Sequence, residues 1–579
     1  MTDRQTGYPS IDKPWLKYYS EETINIPQPE CSLYEYLWEC NKDNQDDYAL
    51  NYFGNRISYR KLFSMIDETA RAFIAVGIKE KEIVPIVSIS TVSSIICFYA
   101  LNKIGAVSDY LNVLSEEKDL QVLIEEVNAK VVVTLDIFGQ KVLSAANKSG
   151  VKTVITFGVD KGMPLLTTIG YKIKSAGKIP QITNDGKVLC WNDFISKASE
   201  IKTVNRKKNP NELCLLTHTG GTTGTPKAVM LNDKSMNSVA DGYFEIVNSS
   251  EVLGSSPKNS VFLQVMIPFV VYGILTCMHM PLCMGWCLAI IPKFDGGDWN
   301  KYFKKYQFNY VFGVPAYISG MFSDDKLKDI DFSKIRTIAM GGDGMNETLE
   351  KDINSFFKEH GCDIDVVKGY GLSEVSATAV STFPGCNKIG SVGIPLYKNN
   401  MMVYDNEKGC EQTYNEVGEI CLQCASRMMG YMGNEDATKD LFKIHADGSE
   451  WLHTGDLGYV DEDGFLFLVG RMKRVILTTK DGVAYKVFPN APEEILDSHE
   501  AVVQSCIVGA KDGDNQVLRA HIVLSDVDMS KCEQIEKELR IICDKELPSY
   551  SRPTFYTFCN CLPLTAAGKV DYRALENAK

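Results

Sequence analysis

Short runs that are apolar on both faces recur through this chain, separated by stretches with helical periodicity. That alternation restricts the fold more than any other feature. Val131–Leu135 (VVVTL) and Val154–Phe157 are β-branched and show no polar alternation. Strands of that kind are covered on both sides, as in a parallel sheet with helices on its two faces. The intervening segments carry helix signals. Ser58 is placed to cap a helix whose apolar face is Leu62, Met65, Ile66, Ala70 and Phe73, with Gly77 as its stop. Ile83–Ser88 reads as a strand weakened by Pro85, and Ser94–Ile104 as the next helix. Further strands are predicted at Leu213–Thr217, Val261–Ile267, Tyr310–Gly313, Ile335–Met340 and Val366–Lys368. Several of these run into glycine-rich loops, the place where open α/β sheets bind ligands.

From about residue 390 the segments shorten and glycine interrupts them (GSVGIPL, MMVYD, GEICLQC, GFLFLVG), which predicts a small antiparallel, β-barrel-like unit. After Arg471 the sequence reads as a compact α+β piece, with a helix over Ser530–Lys545. The expected architecture is therefore α/β. Residues 1–473 form a large N-terminal body of parallel-type sheets with flanking helices, and residues 474–579 a small, mobile C-terminal α+β domain. A length of 579 residues accommodates both.

A net charge of −13 excludes nonspecific nucleic-acid binding, which needs a basic footprint. The N-terminal residues are polar, with no apolar targeting segment, and the 18 cysteines are scattered, many of them in apolar runs such as those holding Cys97, Cys277, Cys283 and Cys287. Together these point to buried thiols and a cytoplasmic location. Cys421 and Cys424 make a lone C-x-x-C, with no second pair or histidine at zinc spacing. Residues 261–292 carry no Lys, Arg, Asp or Glu, a length that could cross a bilayer core of ~30 Å. Pro268, Gly273, Pro281 and Gly285 divide the stretch, so it is expected in the protein core rather than as a transmembrane span. Peripheral membrane contact stays open.

The most informative chemistry lies in Thr217–Met230 (THTGGTTGTPKAVM). Glycines let backbone N–H groups approach oxyanions, threonines add hydroxyls and Lys227 adds positive charge. The loop is not a Walker motif, and alone it reads equally well as a surface turn. Four more segments follow in order: Tyr370-Gly371-Leu372-Ser373-Glu374, Trp451–Asp456 (WLHTGD), Gly470-Arg471, and Pro563–Lys569 (PLTAAGK). In this order the set resembles the adenylate-forming superfamily of acyl-CoA synthetases, peptide-synthetase adenylation domains and luciferases. The Gly341-Gly342-Asp343 pattern is most similar to that of bacterial fatty acyl-CoA synthetases.

The resemblance implies residue roles. Thr219, Gly220, Gly221, Thr222, Thr223, Gly224 and Lys227 would hold the ATP β- and γ-phosphates. Gly341, Gly342 and Asp343 would flank the adenine, and Tyr370, followed by Gly371, would stack on it. Ser373 would contact the α-phosphate and Glu374 would bind Mg²⁺. Asp456 would accept from the ribose hydroxyls, and Arg471 would contact ribose or phosphate. Lys569 would bridge the substrate carboxylate and the α-phosphate. Lys473 falls at the hinge of a small domain that swings between two half-reactions, and Gly482 near the pantetheine path of coenzyme A. The stretch holding Gly482 (TTKDGVAYKVFP) is a few residues longer than in relatives. The implied reaction consumes ATP, Mg²⁺ and coenzyme A and proceeds through an acyl-adenylate. The alternative is an acyl-AMP ligase that loads an acyl carrier protein. Phe269, Val270, Tyr272, Gly273 and Met340 would line the acid pocket. Val270 stands where amino-acid-activating relatives place an Asp, so an α-ammonium would go unpaired there. The apolar neighbourhood suits a fatty or other apolar carboxylic acid.

Overall fold

Two sheets with parallel centres carry the body, as the apolar strand runs require. The structure, a computed structural model, describes residues 6–177, 179, 182, 186–204, 208–219, 227–249, 260–321, 325–328, 330–345, 347–480, 482–513, 515–525, 531–563 and 570–576. One sheet runs, in spatial order, Gly430–Tyr431, Lys227–Asn232, Leu213–Thr219, Val107–Tyr110, Ile83–Val87, Val131–Leu135, Thr153–Phe157 and Val188–Cys190. Its strands are parallel except at the first two pairings, which are antiparallel. Pro85 is tolerated because the ladder to Val131–Leu135 begins only at Ile86.

The second sheet runs Ile394–Pro395, Val380–Ser381, Val367–Tyr370, Thr337–Gly341, Tyr310–Gly313, Val261–Gln264, Cys287–Ile290, Tyr48–Tyr52 and Asn55–Ser58. Its central pairings are parallel and its edges antiparallel. The observed strands depart from the predicted ones by a few residues at their ends. Helix Tyr59–Ala75 begins where expected, with the Ser58 side chain accepting from Lys61 N–H. The next helix, Val92–Lys103, is capped by Thr91 and buried over Val92–Asn102. It is apolar nearly all round, as a helix within a core must be.

Residues 261–292 lie in that core. The strand Val261–Gln264 leads through the π-helix Tyr272–His279 and the short helix Met280–Cys283 to the strand Cys287–Ile290. Pro281 takes a first-turn position, where its missing N–H needs no partner. Among the described residues no helix is long and apolar enough to cross a membrane. Burial drives the His279 imidazole down to about 3, so it is neutral. The ring shares hydrogen bonds of 3.0 Å with Tyr99 Oη and Asn237 Oδ1.

The β-unit is an antiparallel sheet in the order Cys410–Glu411, Asn400–Asp405, Gly418–Gln423, Glu450–Val460 and Phe442–Ile444, with Leu466–Arg471 also paired to Glu450–Val460. It is not an independent unit, because Met401, Val403, Ile420, Leu422 and Leu466 belong to the same hydrophobic core as the body. The C-terminal part has its own core, built around Val487, Leu496, Ile507, Leu518, Ile522 and Leu539. Its sheet comprises Val502–Asp512, Asn515–Leu524 and Phe555–Cys559, and it carries the helices Asn490–Asp497 and Cys532–Glu546.

Candidate active site

Three residues far apart in sequence meet at one carboxylate. The strand Val367–Tyr370 ends at Tyr370, whose Oη donates to Asp456 Oδ2 at 2.7 Å. Strand pairing sets Asp456 opposite Arg471, and the Arg471 Nε lies 2.9 Å from Asp456 Oδ1. Asp456 is buried, and both of its oxygens are engaged. Burial, aided by the Asp456 carboxylate, pushes the Tyr370 phenol well above its ordinary value, so it remains a donor. The strand is anchored from below by a buried ion pair between Lys368 and Glu350. Lys368 Nζ also donates to the Lys388 carbonyl at 2.9 Å, and Glu350 Oε2 accepts from Gly390 N–H at 3.0 Å.

After Tyr370 the backbone folds back on itself. A Cβ on Gly371 would lie 1.9 Å from the Ala377 carbonyl oxygen, so only glycine fits there. Ser376 and Ala377 take positive φ values of 55° and 86° to complete the reversal. The resulting short turn, Ser373–Val375, presents Ser373 and Glu374.

Glu374 is joined to Lys227 through Tyr431. Lys227 opens the strand Lys227–Asn232, and its Nζ lies 4.7 Å from the centre of the Tyr431 ring. The Tyr431 Oη donates to Glu374 Oε1 at 2.6 Å. Burial and the Glu374 charge both raise the Tyr431 phenol above its usual range. Tyr431 escaped the sequence reading; only its neighbours Gly430 and Gly433 mark the segment. Thr219 Oγ1 donates to the Lys227 carbonyl at 3.4 Å, at the mouth of the loop. Gly220, Gly221, Thr222, Thr223, Gly224 and Lys569 lie outside the described residues.

A second pair missed in the sequence stands beside Thr219. His218 Nε2 lies 2.8 Å from the fully buried Asp109 Oδ1. Burial alone would lower the imidazole, but the Asp109 carboxylate outweighs it and the net shift is upward. The pair ties the end of the strand Leu213–Thr219 to the neighbouring strand Val107–Tyr110.

The residues expected around the acid also gather. Gly341 ends the strand Thr337–Gly341, and a Cβ there would lie 3.2 Å from the Gly369 carbonyl and 3.8 Å from Tyr272 Oη. Tyr272 Oη donates to the Gly313 carbonyl at 3.3 Å, and Gly313 pairs with the buried Met340. Phe269 is buried and Val270 partly so; they precede Tyr272 in the same turn. A Cβ on Gly273 would strike the Ile267 carbonyl at 2.0 Å, so glycine is required there. Gly342 takes a φ of +82°, and Asp343 is exposed, accepting from the Gly344 N–H.

Lys473 is exposed in the turn Met472–Arg474, where the chain passes from the main core to the C-terminal core. Arg474, next to it, already belongs to the far side, with Nη2 2.6 Å from Glu493 Oε1. The long stretch around Gly482 is a hairpin of Ile476–Lys480 and Val483–Val487. Gly482 lies at its tip with a φ of +77° and open space around it.

Strand register also gives Cys421 neighbours that its spacing to Cys424 did not suggest. His453 stands opposite Cys421, and Glu419, Cys421 and His453 offer ligand atoms within 4.8 Å of one another. In this arrangement Glu419 Oε2 accepts from His453 Nδ1 at 2.7 Å, and Oε1 from Gly455 N–H at 2.9 Å. The cluster holds the backbone immediately before Asp456.

Residues 37–432 match the AMP-binding enzyme family, and residues 492–569 the AMP-binding enzyme C-terminal domain. A long-chain-fatty-acid–CoA ligase of Bacillus subtilis (strain 168) is 27% identical over 575 residues, covering 97% of each chain. A probable 4-coumarate–CoA ligase 2 of Dictyostelium discoideum is 28% identical over 426 residues, covering 71% of this chain and 72% of its own. ATP-bound MatB from Rhodopseudomonas palustris shares the fold with a TM-score of 0.78 at 21% identity, over 95% of this chain and 98% of its own. An anthranilate CoA ligase in complex with anthranoyl-AMP does so with a TM-score of 0.79 at 19% identity, over 96% and 98%.

Proposed function

The chain belongs to the AMP-binding enzyme family, and from that premise we propose that it is an AMP-forming acid–CoA ligase acting on a fatty or other apolar acid. The observation that carries the reading is that the Tyr370–Asp456–Arg471 cluster at a strand end and the Lys227–Tyr431–Glu374 chain are joined by the short turn that follows Tyr370. The substrate carboxylate attacks the α-phosphorus of ATP, and pyrophosphate leaves. The thiol of coenzyme A then attacks the acyl carbon, and AMP leaves.

Two anions must meet in the first step, and charge gathers on phosphoryl oxygens. Lys227 and the loop donors would neutralise the β- and γ-phosphates, and Lys569 would bridge the carboxylate and the α-phosphate. Asp456 would take the ribose hydroxyls, with Tyr370 and Arg471 fixing its orientation. Glu374 offers a hard carboxylate oxygen on a half-buried turn, which fits Mg²⁺, a cation held by one or two carboxylates plus substrate phosphates. Bound there, Mg²⁺ would offset charge on the phosphates. Tyr431 would keep the Glu374 carboxylate aimed.

Phe269, Val270, Tyr272, Gly273 and Met340 would form the acid pocket. The absence of an acidic side chain at Val270 argues against amino acids, and the Bacillus subtilis relative is named for long-chain fatty acids. The separate C-terminal core supports a division at 473/474, with Lys473 as the hinge and residues 474–579 as the moving domain. Among the described residues the cysteines are free thiols, which suits a reducing cytoplasm.

The test is pyrophosphate release with ATP, Mg²⁺ and a panel of acids, followed by mass detection of acyl-CoA. Apolar acids should give both products. No pyrophosphate release with any acid would refute the reading, and acyl transfer to a carrier protein but not to coenzyme A would replace its second half. Lys569→Ala should abolish pyrophosphate release while leaving ATP binding within about tenfold.

A further inference from the structure

The helix Leu165–Ser175 buries none of its residues. Leu165, Leu166, Ile169 and Ile173 are 75%, 82%, 48% and 74% exposed. With 3.6 residues per turn, these four side chains fall within an arc of roughly 100°. Tyr171, on the opposite side, packs against the main core and ties the helix to the body. The helix therefore turns its apolar stripe outward and its aromatic anchor inward.

Charge distinguishes what can cover that stripe. The helix has no acidic residue, and Lys172 and Lys174 are both exposed on it. Lys172 lies 3.4 Å from Asp160 and keeps 67% of its side chain accessible. This is a locally basic face on a chain whose net charge is −13. A single face of an eleven-residue helix is too small for a second copy of the chain, since a stable interface buries on the order of 1,200–2,000 Å². A surface that is apolar below and anionic above matches both features, because leucine and isoleucine enter the acyl boundary while lysines stay with the head groups.

We propose that the helix Leu165–Ser175 is a docking element for an anionic lipid surface. Leu165, Leu166, Ile169 and Ile173 enter the interfacial layer, and Lys172 and Lys174 contact lipid phosphates. The helix lies parallel to the membrane and does not span it. An apolar acid dissolved in that layer would then be presented to the bound enzyme, although docking does not depend on which acid is activated.

Vesicle sedimentation of the full chain tests this without reference to catalysis. Wild-type protein should co-sediment with vesicles of phosphatidylcholine plus phosphatidylglycerol, bind pure phosphatidylcholine far more weakly, and be released by salt. Lys172→Gln/Lys174→Gln should weaken binding roughly 25-fold, at about fivefold per lysine near an anionic surface. Leu166→Ser/Ile173→Ser should abolish binding to either vesicle, with thermal melting unchanged because both positions are exposed. Wild-type protein that fails to sediment, or variants that sediment like wild type, would overturn the proposal. So would a wild-type dimer in size-exclusion chromatography that the leucine–isoleucine variant dissociates.

Discussion

Tyr431→Phe is the sharpest perturbation of the candidate site. It keeps the ring over which Lys227 Nζ sits at 4.7 Å and removes only the hydroxyl that donates to Glu374 Oε1 at 2.6 Å. A hydrogen bond to a charged group contributes about 1.5–3 kcal/mol net. At about 1.4 kcal/mol per tenfold, its full loss in the transition state slows acyl-adenylate formation ~10- to 100-fold. Glu374 is half-buried, so water recovers part of the interaction and the lower end of that range is expected. Tyr431→Leu also removes the cation–π contact, worth about 0.5–2 kcal/mol, and should fall a further ~2- to 30-fold. Pyrophosphate exchange at saturating acid, measured across a Mg²⁺ titration, reads both effects. Tyr431→Phe should raise the Mg²⁺ concentration needed for half-maximal rate, while its thermal melt stays close to wild type. Wild-type exchange at every Mg²⁺ level in Tyr431→Phe would refute the idea that this phenol orients Glu374. Equal losses in the Phe and Leu variants would remove the role given to the ring.

Other positions give independent checks. Glu350→Ala strands the buried Lys368 and should destabilise the body by about 3–5 kcal/mol in denaturant unfolding, with Glu350→Gln milder. Gly371→Ala forces a Cβ towards the Ala377 carbonyl and displaces the Ser373–Val375 turn, so adenylation should fall at least ~100-fold even if the protein folds. Burial, aided by Glu493 and Glu494 and opposed by hydrogen bonds from Ser505, pushes the Asp497 carboxyl up to about 7. The folded state then holds a proton that the unfolded chain has released, so stability falls as pH rises from about 4 through about 7. Asp497→Asn should flatten that slope and raise the melting temperature above the window, as melts on both sides of it would show.

Much of the architecture follows from local signals. Apolar runs without alternation, such as Val131–Leu135, could only be central strands, and Ser58 and Gly77 bound their helix as capping chemistry requires. Prolines and glycines in residues 261–292 were enough to place that stretch in the core. The β-unit within the 1–473 body is legible only in outline. Glycine-broken short strands mark a β-unit, but they do not reveal that Met401, Ile420 and Leu466 share the body's core.

By itself the sequence determined the order of elements, the α/β class and the motif residues from which the candidate site is built. Capping, turn conformation and hydrophobic periodicity act over a few residues and are written in the local pattern. Only the tertiary structure decided which of those residues touch. Strand register joins Asp456 to Arg471 and His453 to Cys421, and the fold-back at Gly371 brings Glu374 to Tyr431. Such contacts depend on how segments far apart in the chain pack together. Packing is a property of the whole core, so no short window of sequence records it.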